Sequence, residues 1–242
     1  MLSRYHLGAR FRLKLLLHFA RPKDDDVVID AGCGDGYTTY RVSKIAGKVY
    51  GVDISKRAIR QNKKDYNQQN LEFIVADLNT LSTRFSKNPA SLIVCLDVLE
   101  HAENFAGIIR SFSDSLRSGG RLFITLPTEE GHGHLDVKDP RSIKKVIEAQ
   151  GFKVSVIKTV GYSFLRKTFA SIVDGARNAL GFRMDDVDDF SDTLSYRMEK
   201  RGGALLTLYK AGMTVVNGIL ALDPQQYSKG DKELVIVAKK RK

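Results

Sequence analysis

The chain has 242 residues, 43% of them hydrophobic and 28% charged, which is enough apolar material to bury a sizeable core. A formal net charge of +11 points to an anionic partner such as nucleic acid, an acidic membrane surface or a phosphorylated substrate, without choosing among them. Two cysteines, Cys33 and Cys95, exclude a disulfide framework and a CxxC metal pair and fit a reducing, cytoplasmic setting.

Residues 1–25 are basic and apolar and predict a helical segment. Its clean apolar run, Leu15 to Leu17, is broken by His18 and followed by Arg21-Pro22 with no small-residue cleavage site, so a secretory leader is not expected. No stretch approaches the ~20 uncharged apolar residues that cross a bilayer. Strand-length apolar runs follow at Val27 to Ala31, Val49 to Val52, Leu71 to Val75, Leu92 to Leu96, Leu122 to Leu126 and Val154 to Ile157, with a last one at Leu234 to Ala238. Helices are expected over Gly36 to Ala46, Ser55 to Tyr66, Asn104 to Arg117 and Pro140 to Gln150. This alternation predicts an α/β fold: a doubly wound, mostly parallel sheet covered by helices on both faces. Near-continuous apolarity within the strands agrees with burial on both sides.

Between Gly161 and Gly230 the rhythm breaks for longer than any ordinary loop, which predicts an insertion. Leu165, Phe169, Ile172, Val173, Ala176 and Leu180 share one helical arc, Leu205 to Leu222 carries a wider one, and the acidic DDVDDFSD lies between them. The expected organisation is a single domain: an N-terminal helical segment, a core over 26–160, a helical lid over 161–230, and a last strand with a basic tail over 231–242.

The stretch VVIDAGCGDGYTTY carries the chemistry. A glycine-rich turn between a first strand and its helix lets the main chain approach a ligand closely, beside the unpaired N–H groups of a helix N-terminus. A dinucleotide fingerprint needs a small residue where Tyr37 stands, and a phosphate loop needs a GKS or GKT that does not follow, so both fail. DAGCGDG matches the DxGxGxG signature of class I S-adenosylmethionine-dependent methyltransferases. VYGVDIS, FIVADL, CLDVLEH and LRSGGRLFITLPT fall into step with it, and the chain closely resembles that superfamily, in the branch that includes the ubiquinone-biosynthesis O-methyltransferases.

The resemblance implies a Rossmann-like seven-stranded sheet with an antiparallel last strand, and S-adenosylmethionine as cofactor. It assigns cofactor contacts to Asp30, Gly32, Cys33, Gly34, Gly36, Asp53, Ile54, Asp77, Leu78 and Asp97. Within that set Asp30 faces the cofactor's ammonium directly or through water, Asp53 takes the ribose hydroxyls, and Asp77 with the N–H of Leu78 holds the adenine. Asp97, Glu100 and His101 also resemble an ExxEH metal-binding pattern with aspartate in place of its first glutamate; no metal is assigned.

Methyl transfer to a hydroxyl calls for a base near neutrality, for which histidine is suited. His101, which closes DVLEH, and His134, in the GHGHLD loop, are the candidates. The expected acceptor is a small molecule or a lipid-like one, with oxygen as the acceptor atom. If Leu205 to Leu222 and ARFRLKLLLHFAR rest on a membrane, an anionic lipid surface becomes a partner. Nucleic acid fits less well, because CLDVLEH stands where an NPPY-like motif would follow the fourth strand, and Cys95 sits inside that strand rather than where carbon-5 methylation needs a nucleophile. The alternatives are an RNA-modifying methyltransferase and a non-catalytic binding module that keeps the fold.

Overall fold

Strands form where apolar residues run nearly unbroken. In the computed structural model, which describes residues 7–128, 139–160 and 233–242, seven such runs assemble into one sheet of order β3-β2-β1-β4-β5-β7-β6. The elements are α1 (Leu7–Phe19), β1 (Val27–Ala31), α2 (Tyr37–Ser43), β2 (Lys48–Asp53), α3 (Lys56–Asp65), β3 (Leu71–Val75), α4 (Ser82–Phe85), β4 (Ala90–Leu96), α5 (Phe105–Ser115), β5 (Leu116–Pro127), α6 (Pro140–Ala149), β6 (Phe152–Val160) and β7 (Glu233–Lys240). The pairs β1–β2, β1–β4, β2–β3 and β4–β5 are parallel, while β7 runs antiparallel to both β5 and β6. The expected sheet, with its antiparallel last strand, is therefore present. Strand order reverses beside β1, which has β2 on one side and β4 on the other, and such a switch point opens a crevice at the carboxyl edge of a parallel sheet.

Local chemistry sets the helix boundaries. Ser55 caps α3 by accepting the Ala58 N–H, Asn104 caps α5 through the Gly107 N–H, and Asp139 precedes Pro140 at the start of α6. The helix expected to run to Arg117 stops at Ser115, because Leu116 is buried and pairs with Ala90 as the first residue of β5. Lys240 donates to the carbonyls of Ser113 and Leu116 at 2.6 and 2.8 Å, so part of the basic tail is spent on closing this helix end.

The core lies on both faces of the sheet and includes Ile29, Ile93, Phe112, Leu122, Ile124 and Ile236, all fully buried. In α1, Leu13, Leu15 and Leu16 are buried within the protein and Leu17 is half-exposed. Among the described residues no helix is long and apolar enough to cross a membrane. The chain divides into two compact units. Arg12–Val160 with Gly230–Lys242 forms one, which holds the sheet; Met1–Phe11 with Gly161–Lys229 forms the other, of which 7–11 are described. The expected lid therefore lies outside the described residues.

Candidate functional site

Four loops meet at the carboxyl edge of β1 to β4. The first turns through Gly32, Gly34 and Gly36, all left-handed, with φ of 79°, 50° and 73°. The N–H groups of Gly32 and Cys33 both donate to the Val52 carbonyl, at 2.8 and 2.9 Å, and draw the loop onto β2. Gly34 then donates its N–H to Asp53 Oδ2 at 2.9 Å, while the Asn62 amide donates to the Gly34 carbonyl at 2.8 Å from behind.

The three glycines do different work. A Cβ at Gly32 would lie 2.4 Å from Val98 Cγ2, and one at Gly36 would lie 2.9 Å from both Asn62 and Phe73, so these two admit the protein's own neighbours. A Cβ at Gly34 would meet nothing within 4 Å among the described residues. Of the three, Gly34 is the one whose main chain faces space left open by the described residues, where a ligand can lie against it.

The expected acids differ sharply in their surroundings. Asp53 ends β2 half-buried, accepting the Gly34 N–H on one oxygen and the Ser55 N–H on the other at 2.8 Å, which leaves lone pairs on both for further donors. Ile54, next to it, is 71% exposed, an apolar surface with no protein cover among the described residues. Asp77 is exposed at the end of the β3 loop and accepts from the backbone and side chain of Asn79 at 2.8 and 3.0 Å, opening the turn that contains Leu78. Asp30 is buried and takes a 2.6 Å hydrogen bond from the Thr39 hydroxyl. Burial pushes its carboxyl up to about 7, with Asp53 and Asp35 adding to the rise and Thr39 opposing it. Cys33 is buried, and burial drives its thiol well above the usual range, so it contributes main chain rather than a nucleophile.

Beyond β4, Asp97 holds a left-handed conformation at φ 50°. Its carboxylate pairs with Arg12 and accepts from Thr125 Oγ1 at 2.8 Å, so it is turned to the protein's own cation. His101 is two-thirds exposed, and its Nε2 lies 3.8 Å from Glu100 Oε1. Glu100 is buried, and burial lifts its carboxyl to about 7, Asp97 adding and Arg12 opposing. Among the described residues no group of three or more His, Cys, Asp or Glu side chains is placed to hold a metal ion. His134 and its loop lie outside the described residues.

Four contributors escaped sequence reasoning: Thr39, Asn62, Arg12 and Glu233. Asn62 left a local trace, since it shares the buried face of α3 with Ala58 and Ile59. Thr39 likewise lies on the buried side of α2. Arg12 and Glu233 pair across 221 residues and left none.

These residues fit a sulfonium nucleoside. Gly34 offers the open cradle, Asp53 has acceptor capacity for a diol, Ile54 is an exposed apolar neighbour for a flat base, and Asp77 is an exposed acceptor.

Comparison with known proteins agrees with this chemistry. Residues 22–162, more than half of the chain, match the family model described as "Methyltransferase domain". Ubiquinone biosynthesis O-methyltransferase of Aeromonas salmonicida is 26% identical over 100 residues, 40% of this chain and 42% of that protein. A Pyrococcus furiosus protein named "Probable ribosomal RNA small subunit methyltransferase A" is 44% identical over 55 residues, 23% of this chain and 20% of that one. The chain thus spans less than half the length of these curated relatives. Among solved structures, the (4+2)-cyclase SpnF superposes with a TM-score of 0.62 at 16% identity, covering 96% of this chain and 81% of its own. Magnesium protoporphyrin IX methyltransferase of Synechocystis PCC 6803, solved with bound SAH, gives 0.53 at 19% identity over 65% of this chain and 79% of its own. At such identities the structural likeness speaks for the fold alone.

Proposed function

The chain belongs to the methyltransferase-domain family, and from that premise we propose that it is an S-adenosylmethionine-dependent methyltransferase acting at oxygen on a small-molecule or lipid-like acceptor. The observation that carries the reading is the link between Gly34 and Asp53: one hydrogen bond joins the open main chain of the first loop to the acid of the second, so both ends of a nucleoside amino acid have a holder. When bound, S-adenosylmethionine supplies a methyl group on a positively charged sulfur that needs no acid to leave.

The chain's own residues bind, orient and move a proton. Asp53 holds the ribose hydroxyls, Asp77 and the main chain at Leu78 hold the base, and Ile54 covers it. Asp30 lies under the loop, where an ammonium group nearby would draw it into its charged form. Glu100 faces His101 Nε2, which leaves Nδ1 to take the proton of an acceptor hydroxyl. Oxygen as the acceptor atom is supported by the ubiquinone O-methyltransferase relatives, and an anionic membrane surface as the place of collection by the net charge of +11. A second reading, an RNA acceptor, is favoured by the 44% identity to the Pyrococcus furiosus protein.

Incubation with methyl-labelled S-adenosylmethionine and separated lipid, RNA and small-metabolite extracts tests this. Label is expected in the lipid or small-metabolite fraction. Label confined to RNA selects the second reading, and binding without transfer to any fraction leaves a non-catalytic module. Absence of binding in calorimetry would defeat both methyltransferase readings and leave the non-catalytic module.

A further inference from the structure

Three distant pieces of chain meet at Arg12. Its Nη2 pairs with Asp97 Oδ2 at the end of β4, and its Nε donates to Glu233 Oε1 at 3.1 Å, at the first residue of β7. Glu233 stands opposite Pro127 of β5 and Val160 of β6, at the place where the chain re-enters the sheet. A planar guanidinium fork can serve two carboxyl groups at once, which an ammonium cannot do as well.

Asp97 needs such support. Apart from Arg21, it is the one non-glycine residue with positive φ among the described residues, a conformation that costs on the order of 1–3 kcal/mol unless its surroundings hold it. Thr125 holds it twice, accepting the Asp97 N–H at 3.1 Å and donating its hydroxyl to Oδ1 at 2.8 Å. Val98, which follows, packs where a Cβ on Gly32 would stand, and Glu100 and His101 come next in the same turn. The placement of Asp97 therefore governs what backs the glycine loop and where His101 stands.

Among the described residues the charge at this point is unbalanced. Glu233 is buried, shares Arg12 with the Asp97 carboxyl, and leaves Oε2 without a donor among the described residues. Two acids face one cation. We propose that Arg12 is a positioning residue, clamping Asp97 and Glu233 together and thereby holding the turn that backs Gly32 and carries His101. Glu233 is the partner that keeps its proton, because burial and the neighbouring Asp97 carboxyl both disfavour its charged form. The other titratable groups around them, among the described residues, are Glu100 in the turn after β4 and Cys95 within β4. The link to the cofactor rests on the function proposed above; the clamp itself does not.

Thermal unfolding between pH 5 and 8, without cofactor, tests the clamp. Burial raises the Glu233 carboxyl well above its ordinary value, so the folded chain holds a proton that the unfolded chain has released, and stability falls as pH rises through this range. Glu233→Gln should fall less steeply than the wild type. Arg12→Gln, which strips the acids of their cation, should fall more steeply; Arg12→Lys should lie between, and adding Glu233→Gln to Arg12→Gln should suppress the excess slope. A purely packing role would lower the unfolding temperature of Arg12→Gln equally at every pH, and that result overturns the clamp. Affinity for S-adenosylmethionine in Arg12→Gln should drop about tenfold, within the ~5–150-fold typical of coupled sites, and an unchanged affinity overturns the positioning role. If the wild type itself binds no cofactor, the proposed function fails while the unfolding slopes still judge the clamp.

Discussion

Gly34→Ala separates ligand space from folding, because this position combines a left-handed backbone with empty surroundings. Its φ of 50° makes a side chain cost ~1–2 kcal/mol, and with none of the described residues within 4 Å of the added carbon no packing cost from them is added. In a domain of this size each kcal/mol lowers the unfolding temperature by about 2–4 °C, so a fall of roughly 2–8 °C with cooperativity kept is expected. If the tail of S-adenosylmethionine lies against this main chain, the methyl group overpacks the contact by ~1–3 kcal/mol, or about 5- to 150-fold in Kd. Gly36→Ala is the control: its φ is also positive, but its Cβ would stand 2.9 Å from Asn62 and Phe73, so it should lose far more stability. Calorimetric titration with S-adenosylmethionine beside thermal unfolding reads both quantities. A Gly34→Ala protein that binds as tightly as the wild type would refute the reasoning, since nothing could then be packed over that backbone.

Asp53→Ala removes the acceptor of two loop N–H groups and of the ribose; cofactor binding should vanish in calorimetry while unfolding stays cooperative. For Asp30, burial raises the folded carboxyl from 3.8 to about 7, so its contribution to stability is present at low pH and lost as pH rises through that interval. Asp30→Asn should flatten the decline in unfolding temperature between those values, and an unaltered slope would show that Asp30 is not held protonated. His101→Ala, at a residue two-thirds exposed, should alter stability by no more than ~0.5 kcal/mol and cut methyl transfer by ~100-fold or more, both measurable in one labelled assay with a melting curve.

Much of this was written locally along the chain. Apolar runs placed β1 and β3 at their observed limits and β2, β4, β6 and β7 within about three residues of theirs, because burial in the sheet selects apolarity segment by segment, whereas β5 begins six residues before its apolar run, at Leu116. DAGCGDG, Asp53 and Asp77 were legible because each lies at or just beyond the carboxyl end of a strand, where order along the chain and position at the sheet edge coincide. What tertiary structure alone decided was the state of those residues. It assigned Gly32 and Gly36 to internal packing and left Gly34 open, buried Asp30 against Thr39, and turned Asp97 to Arg12. It also set Glu233 beside Asp97 through the order β4-β5-β7, joining residues that no local pattern relates. The reason is physical: whether a segment becomes strand or helix depends on neighbours a few residues away, whereas the charge and exposure of a carboxyl group depend on whatever distant chain folds against it.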